Sequence, residues 1–420
     1  MWSLPRRIAF RFAFVFVLLL VVPFPFGTLP HTEAIGNLVN DAWGALLGAV
    51  EHLLGLAASE INQDSSDTLA GWLQFAVAIV LAAVGAAVWS ALDRKRTAYP
   101  RFASALEIYL RYWLAASMVT YGLVKLYPIQ FPAPHLATLD ERVGDMSPMG
   151  LMWTFMGYSR AYQCFAGGAE LLGAVLLLWR RTRAFGAFVL AGVLLNVVIL
   201  NFCYDVPVKL GSLELWLAAM ALLAPTLVRI VRVMLGHAVP EAPPRVRGSL
   251  RWERARIAGG ITAVVLIAWS QWALLGDIAG WFAPKTPIDG AWIVEHYTEH
   301  GVERPPLATD DARWARVQVL GGLKGGGKLG IVVVAMTGER KLYMAQLDAD
   351  ASSLMMIERG DPTADPPARK APPQAWHYAV IDSDHIRLDQ GTTQIALRRA
   401  PPGLLQTRGF HWVQDWAFNR

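Results

Sequence analysis

The recurrence of long apolar runs limits most strongly how this chain can fold. A transmembrane helix needs about 20 mostly apolar residues, and six stretches reach that length: 8–26, 69–92, 160–179, 184–204, 212–235 and 257–276. A seventh, 103–126, is apolar but holds Glu107, Arg111 and Lys125. Composition agrees, because the 420 residues are 54% hydrophobic and 17% charged. Soluble domains carry roughly 45–50% apolar and about 25% charged residues. A wholly soluble, a disordered or a disulfide-framework protein is thereby excluded, the last because the chain has only 2 Cys.

Basic residues sort into alternate gaps between these runs. Arg6, Arg7 and Arg11 lie at the start; Arg94, Lys95, Arg96 and Arg101 follow the second run. Arg180, Arg181 and Arg183 come later, and a further cluster runs from Arg229 to Arg256. Residues 27–67 contain no Lys or Arg and six acidic side chains. Under the positive-inside rule, seven spans put every basic cluster on the cytoplasmic side, with the N-terminus in and the C-terminus out. Residues 36–56, interrupted by Asp41, Glu51 and His52, are helix-like and amphipathic. Counting them as a span would strand Arg94–Arg96 on the wrong side, so they are read as a surface helix. The first run is read as an uncleaved anchor, since no small-residue cleavage site follows it. The net charge of +5 is then topological arginine beside anionic lipid, and no nucleic-acid partner is needed.

From Asp277 the character changes. The last 144 residues hold 16 of the 38 Lys+Arg and 17 of the 33 Asp+Glu. Their apolar residues fall in eight short runs, from AWIVEHY to TTQIALRR, separated by Gly, Pro and Asp. That pattern predicts an all-β domain, an antiparallel barrel or sandwich. GGLKGGGK (321–328) reads as a hairpin and DPTADPPARKAPP (361–373) as a loop. Gly290–Ala291–Trp292 at the first strand with Arg398 or Arg399 at the last resembles the small-molecule-binding lipocalin-type barrels; a small barrel with a filled core is the other reading.

YGLVKLYPIQFPAP (121–134), YQCFAGGAELLGAVLLL (162–178) and LNVVILNFCYDVPVKL (195–210) together resemble the DoxX/DoxD-like membrane proteins. The ending LLQTRGFHWVQDWAFNR (404–420) is similar to the tail of the longer members. The resemblance implies a four-helix bundle, here spans three to six, in a bacterial inner membrane. It also implies links to sulfur oxidation, quinone chemistry and thiol or oxidative-stress handling. The expected organisation is two N-terminal helices with the surface helix (1–100), the DoxX-like bundle (101–235), a basic loop and last span (236–276), and an extracytoplasmic β-domain (277–420).

Ionisable side chains inside a span are costly and mark candidate functional sites. Glu107 and Arg111, one helical turn apart, read as a structural pair. Lys125, Glu170, Asn196, Asn201, Asp205 and Lys209 are expected in the outer half of the bundle, with 201, 205 and 209 stacked on one helical face. Such a polar pocket suits a quinone headgroup, a lipid headgroup or a small thiol; the alternative is an internal network holding the helices together. Cys164 and Cys203 fall at depths within about 5–6 Å of each other at 1.5 Å per residue, a candidate redox pair or two small buried hydrophobes. No His or Cys spacing suggests a metal. The first functional reading is thus redox-linked, as an oxidoreductase component if an enzyme, with quinone the possible cofactor. The alternatives are a lipid or hydrophobic small-molecule binding or transfer protein using the β-domain, and a membrane scaffold for an envelope protein.

Overall fold

A computed structural model describes residues 2–26, 29, 31–56, 65–238, 254, 258–263, 265–266, 269–270, 286–321, 328–359, 372–409 and 414. The chain divides into two compact units, Met1–Ala133 with Met146–Leu274, and Pro134–Asp145 with Leu275–Arg420. The short segment Pro134–Asp145, which the sequence places inside the bundle, thus groups with the C-terminal unit.

The first unit is helical: α1 (Leu4–Val21), α2 (Glu33–Leu54), α3 (Leu69–Leu92) and α4 (Pro100–Leu126), while α5 (Leu136–Leu139) belongs to the second unit. It continues with α6 (Pro148–Tyr158), α7 (Arg160–Leu178), α8 (Arg183–Cys203) and α9 (Lys209–Met234). Hydroxyl caps start three of them: Thr68 accepts from the Gly71 amide, Ser147 from Gly150 and Ser159 from Tyr162. Among the described residues, α3, α7, α8 and α9 are long and apolar enough to cross a membrane. Length and composition thus mark four of the seven expected spans among the described residues. Arg6, Arg7 and Arg11 fall inside the 18 residues of α1, and α4 is diluted by Arg101, Glu107, Arg111 and Lys125. The last expected span, 257–276, is described only in fragments, all helical. The helix expected over 36–56 forms as α2 and packs Trp43 and Leu47 against Ala70 and Ala78 of α3.

Arg11 ties two helices together. Its buried guanidinium donates to Tyr99 Oη (3.0 Å), Ser90 Oγ (2.7 Å) and the Asp93 carbonyl (2.8 Å), tying α1 to the end of α3. Glu107 pairs with Arg183 of α8 and not with Arg111 as expected. Arg111 is buried instead, with its Nε lacking a hydrogen-bond partner and its guanidinium 5.0 Å from the Tyr112 ring centre. Helix spacing permitted the Glu107–Arg111 pair, but the two side chains point to different neighbours.

The second unit is an antiparallel β-barrel. Its strands are β1 (Gly290–Glu299), β2 (Val302–Glu303), β3 (Trp314–Leu320), β4 (Lys328–Ala335), β5 (Arg340–Asp348), β6 (Ser353–Glu358), β7 (Gln374–Val380), β8 (His385–Gln390) and β9 (Thr393–Arg399). The order is β2-β1-β3 through β9, and β1 also pairs with β9, closing eight strands into a barrel with β2 as a short flap. All eight strands read from the sequence form. Most of the two predicted connections at 321–328 and 361–373, and of the tail beyond Gly409, lie outside the described residues.

Closure explains the Gly-x-Trp and Arg signals. Trp292 sits opposite Arg399 in the β1–β9 register, and the Arg399 guanidinium lies 4.3 Å from the Trp292 ring centre. Trp292 Nε1 donates to the Ile288 carbonyl at 2.9 Å. Gly290 has φ +144°, which favours glycine, and a Cβ there would also crowd the movable end of Arg399, with Nη1 at 2.6 Å. Inside the barrel, Trp292, Val317, Ile331, Tyr343, Met356, Trp376, Leu388 and Leu397 pack into one apolar cluster. The interior is filled with side chains from every barrel strand.

Candidate functional site

Glycines let α4 and α7 approach closely enough to build the site. A Cβ on Gly167 would meet the Gly122 carbonyl at 2.7 Å and the Lys125 Cβ at 2.9 Å; one on Gly122 would meet the Gly167 carbonyl at 2.9 Å. With no Cβ in the way, the Lys125 stem lies along α7. Its Nζ donates to both Glu170 oxygens at 2.9 Å. The side chains are only 8% and 3% exposed, so this is a desolvated pair. Lys125 Nζ also lies 5.6 Å from the Tyr121 ring centre. Arg160 donates to the carbonyls of Lys125 and Leu126 and thereby caps the end of α4.

Beside this pair is a cavity of about 570 Å³. Lys125, Glu170, Asn196 and Asn201 all line it. Its apolar wall comes from Met118, Phe131, Met152, Trp153, Met156 and Leu215. Two amides in this setting have no protein partner among the described residues. The Oε1 of Gln130 is buried without a hydrogen bond. Asn201 is 5% exposed, and its side chain makes no hydrogen bond.

Asp205 and Lys209 are not part of this site. The expected face 201–205–209 required one continuous helix, but α8 ends at Cys203 and Asp205 adopts φ +51°. The chain has turned before Lys209 begins α9. Lys209 Nζ reaches Asp205 at 2.8 Å and Asp67 at 3.4 Å. Asp67 accepts the amides of Lys209 (3.0 Å) and Leu210 (2.9 Å), while Ser66 Oγ accepts that of Gly211 (3.1 Å). Ser66 and Asp67 thus cap α9 from a distant loop while Thr68 caps α3. Burial pushes the Asp67 carboxyl up, but the Leu210 and Lys209 amides, Ser66 and the Lys209 ammonium outweigh it and leave its pKa lowered.

Cys164 and Cys203 are both free thiols, the first half-buried and the second exposed, and neither lines the cavity. The expected redox pair has no disulfide here and no contact with the candidate site. No group of three or more His, Cys, Asp or Glu that could hold a metal occurs among the described residues. Sequence reading missed Gln130 and the Met-rich wall from α6. Ser147 followed by Pro148, a cap with proline at the first helical position, was the available signal for that helix.

Fold and site together define a class: a helical unit with four helices long and apolar enough to cross a membrane and a cavity with polar and apolar walls, followed by a closed, filled β-barrel. No protein-family model matches the chain, and no solved structure matches it. The chain is 37% identical over 99 residues to the uncharacterized protein YwoB of Bacillus subtilis (strain 168). That match covers 24% of this chain and 62% of YwoB, so the chain spans less than two thirds of its relative.

Proposed function

We propose that this is a polytopic inner-membrane protein whose cavity beside Lys125 and Glu170 binds the head of a small amphipathic redox molecule of the quinone class. In this reading the protein crosses the membrane seven times, with α4 and α7–α9 as a DoxX-like bundle. The N-terminus is cytoplasmic, as the arginine clusters suggest, and the barrel is extracytoplasmic. One observation carries the ligand assignment: Gln130 Oε1 and the Asn201 amide lack partners in a largely apolar cavity. Buried polar groups are nearly always hydrogen-bonded. A ligand head with both donor and acceptor positions satisfies them, and the methionine and aromatic wall accepts its apolar body. A quinone and its quinol supply both. A thiol fits less well, because neither cysteine lines the cavity to exchange with it.

The test is thermal melting of the purified full chain in detergent with a short-chain benzoquinone. The quinone is expected to raise the melting temperature of the wild type and to leave Asn201→Leu unmoved. An equal shift in both proteins, or none in either, overturns the assignment.

A further inference from the structure

A second and larger cavity, about 1060 Å³, lies in the helical unit, and none of its lining residues lines the first. It occupies the other side of α4. Ala105, Ile108, Tyr112, Ala116 and Thr120 face it at three- and four-residue spacing, while Met118, Tyr121 and Lys125 face the first cavity. Its remaining walls are the end of α1 with the turn that follows, α2, α3 at Gln74, and the helical residues Gly259, Gly260, Thr262, Ala263, Leu266 and Ser270. Tyr109 Oη donates to the Phe24 carbonyl at 2.8 Å and holds that turn against α4.

The walls are mainly apolar and aromatic, and two features of them indicate an occupant. A hollow of this size is at or above the ~300–1,000 Å³ usual for ligand sites. In addition, the side-chain amides of Gln74, half-buried, and Asn40, exposed, line it without a hydrogen bond among the described residues, so both are open to a ligand head. These two positions neighbour Val39, Trp43, Leu73 and Val77, which pack together, so both amides belong to the α2–α3 wall. Ser117 and Thr120 donate to the carbonyls four residues before them, which leaves their oxygens able to accept.

We infer that this cavity holds the alkyl chain of a membrane lipid, with a hydrogen-bonding head against the α2–α3 wall. A long-chain molecule is the class that matches an apolar trough with polar groups along one side. In a membrane-crossing unit it is also the medium from which such a trough fills. The site is independent of the quinone reading, since it uses other residues and another class of ligand.

The experiment is native mass spectrometry of the full chain after gentle detergent exchange, with solvent extraction to identify what is retained. The wild type is expected to keep one long-chain molecule; its mass separates a diacyl phospholipid from an isoprenoid. Two variants fill the space from different walls. Gly259→Leu is one, because a Cβ there meets nothing within 4 Å; Ala116→Phe is the other. Occupancy is expected to fall about tenfold, a measurable change in affinity, in both variants or in whichever one retains the wild-type melting profile. Asn201→Leu, in the other cavity, is expected to keep wild-type occupancy. A wild type that retains no long-chain molecule overturns the inference, as does undiminished retention in a folded variant.

Discussion

Replacing Lys125 by Met tests whether the ion pair is as desolvated as its geometry states. The ammonium donates to both carboxylate oxygens at 2.9 Å, and the side chains are 8% and 3% exposed. Water therefore contributes little to either charge. Removing one partner of such a pair costs about 3–5 kcal/mol, because the survivor stays buried and uncompensated, whereas replacing both with apolar residues is often neutral. The expectation is thus a loss of that size for Lys125→Met, a comparable loss for Glu170→Leu, and a double variant far better than the sum. Reversible unfolding of the full chain in mixed micelles gives the free energies, and the double-mutant cycle isolates the coupling. A Lys125→Met protein within about 1 kcal/mol of wild type, the range of exposed pairs, would show that water reaches the pair, and the account of a desolvated site would fall with it.

Gly290→Ala is expected to destabilise the barrel through the +144° φ and the approach to Arg399, by about 1–3 kcal/mol. Adding Arg399→Ala removes the near contact, so the two losses should not sum; hydrogen exchange of the β1 and β9 amides in the full chain reads this. Asp67→Ala strips the amide cap from α9 and is expected to cost about 0.5–2 kcal/mol at neutral pH. Because the folded pKa of Asp67 lies below its ordinary 3.8, its contribution is present above that value and is lost as pH falls through the lowered folded value. Acid unfolding monitored by exchange of the first α9 amides should show that component in the wild type and not in the variant. Arg111→Met keeps the packed stem and removes a buried charge without an ion-pair partner, so equal or higher stability in the purified protein is expected; a clear loss would point to an unrecognised anionic partner.

Much of the architecture was legible because both units obey simple periods. The strands follow from apolar alternation and turn residues, which left barrel and sandwich both open; the β1–β9 pairing decides for the barrel. The apolar helices follow from run length. What failed was anything requiring the chain to turn at a particular residue. The Asn201–Asp205–Lys209 face assumed nearly two more helical turns than α8 possesses, although Asp205, a residue type that tolerates positive φ, and Pro207 were local signals of a break. Pair assignments failed for a related reason: Glu107 had two basic neighbours within reach, Arg111 along its own helix and Arg183 across to α8, and only packing selects between them. Lys125, Glu170, Asn196 and Asn201 meet because Gly122 and Gly167 let two helices touch, which a linear reading does not display. The Gly-x-Trp and Arg signal pointed to a lipocalin-type ligand barrel or to a small barrel with a filled core; closure alone does not decide between them, and side chains fill the interior.

Helix α4 has no spare side. From Leu106 to Leu126 only Tyr121 is exposed, because one stripe joins the helix core, another walls the first cavity and a third walls the second. By contrast, α3 leaves Ile79, Val80, Val84 and Val88 exposed. The two helices should differ in mutational tolerance. On α3, one bulky apolar residue can replace another along a whole stripe; on α4 nearly every position answers to a neighbour. The same crowding lets α4 carry Glu107, Arg111 and Lys125 where α3 is uncharged throughout, and α4 is the helix on which a mutational scan should find the fewest silent positions.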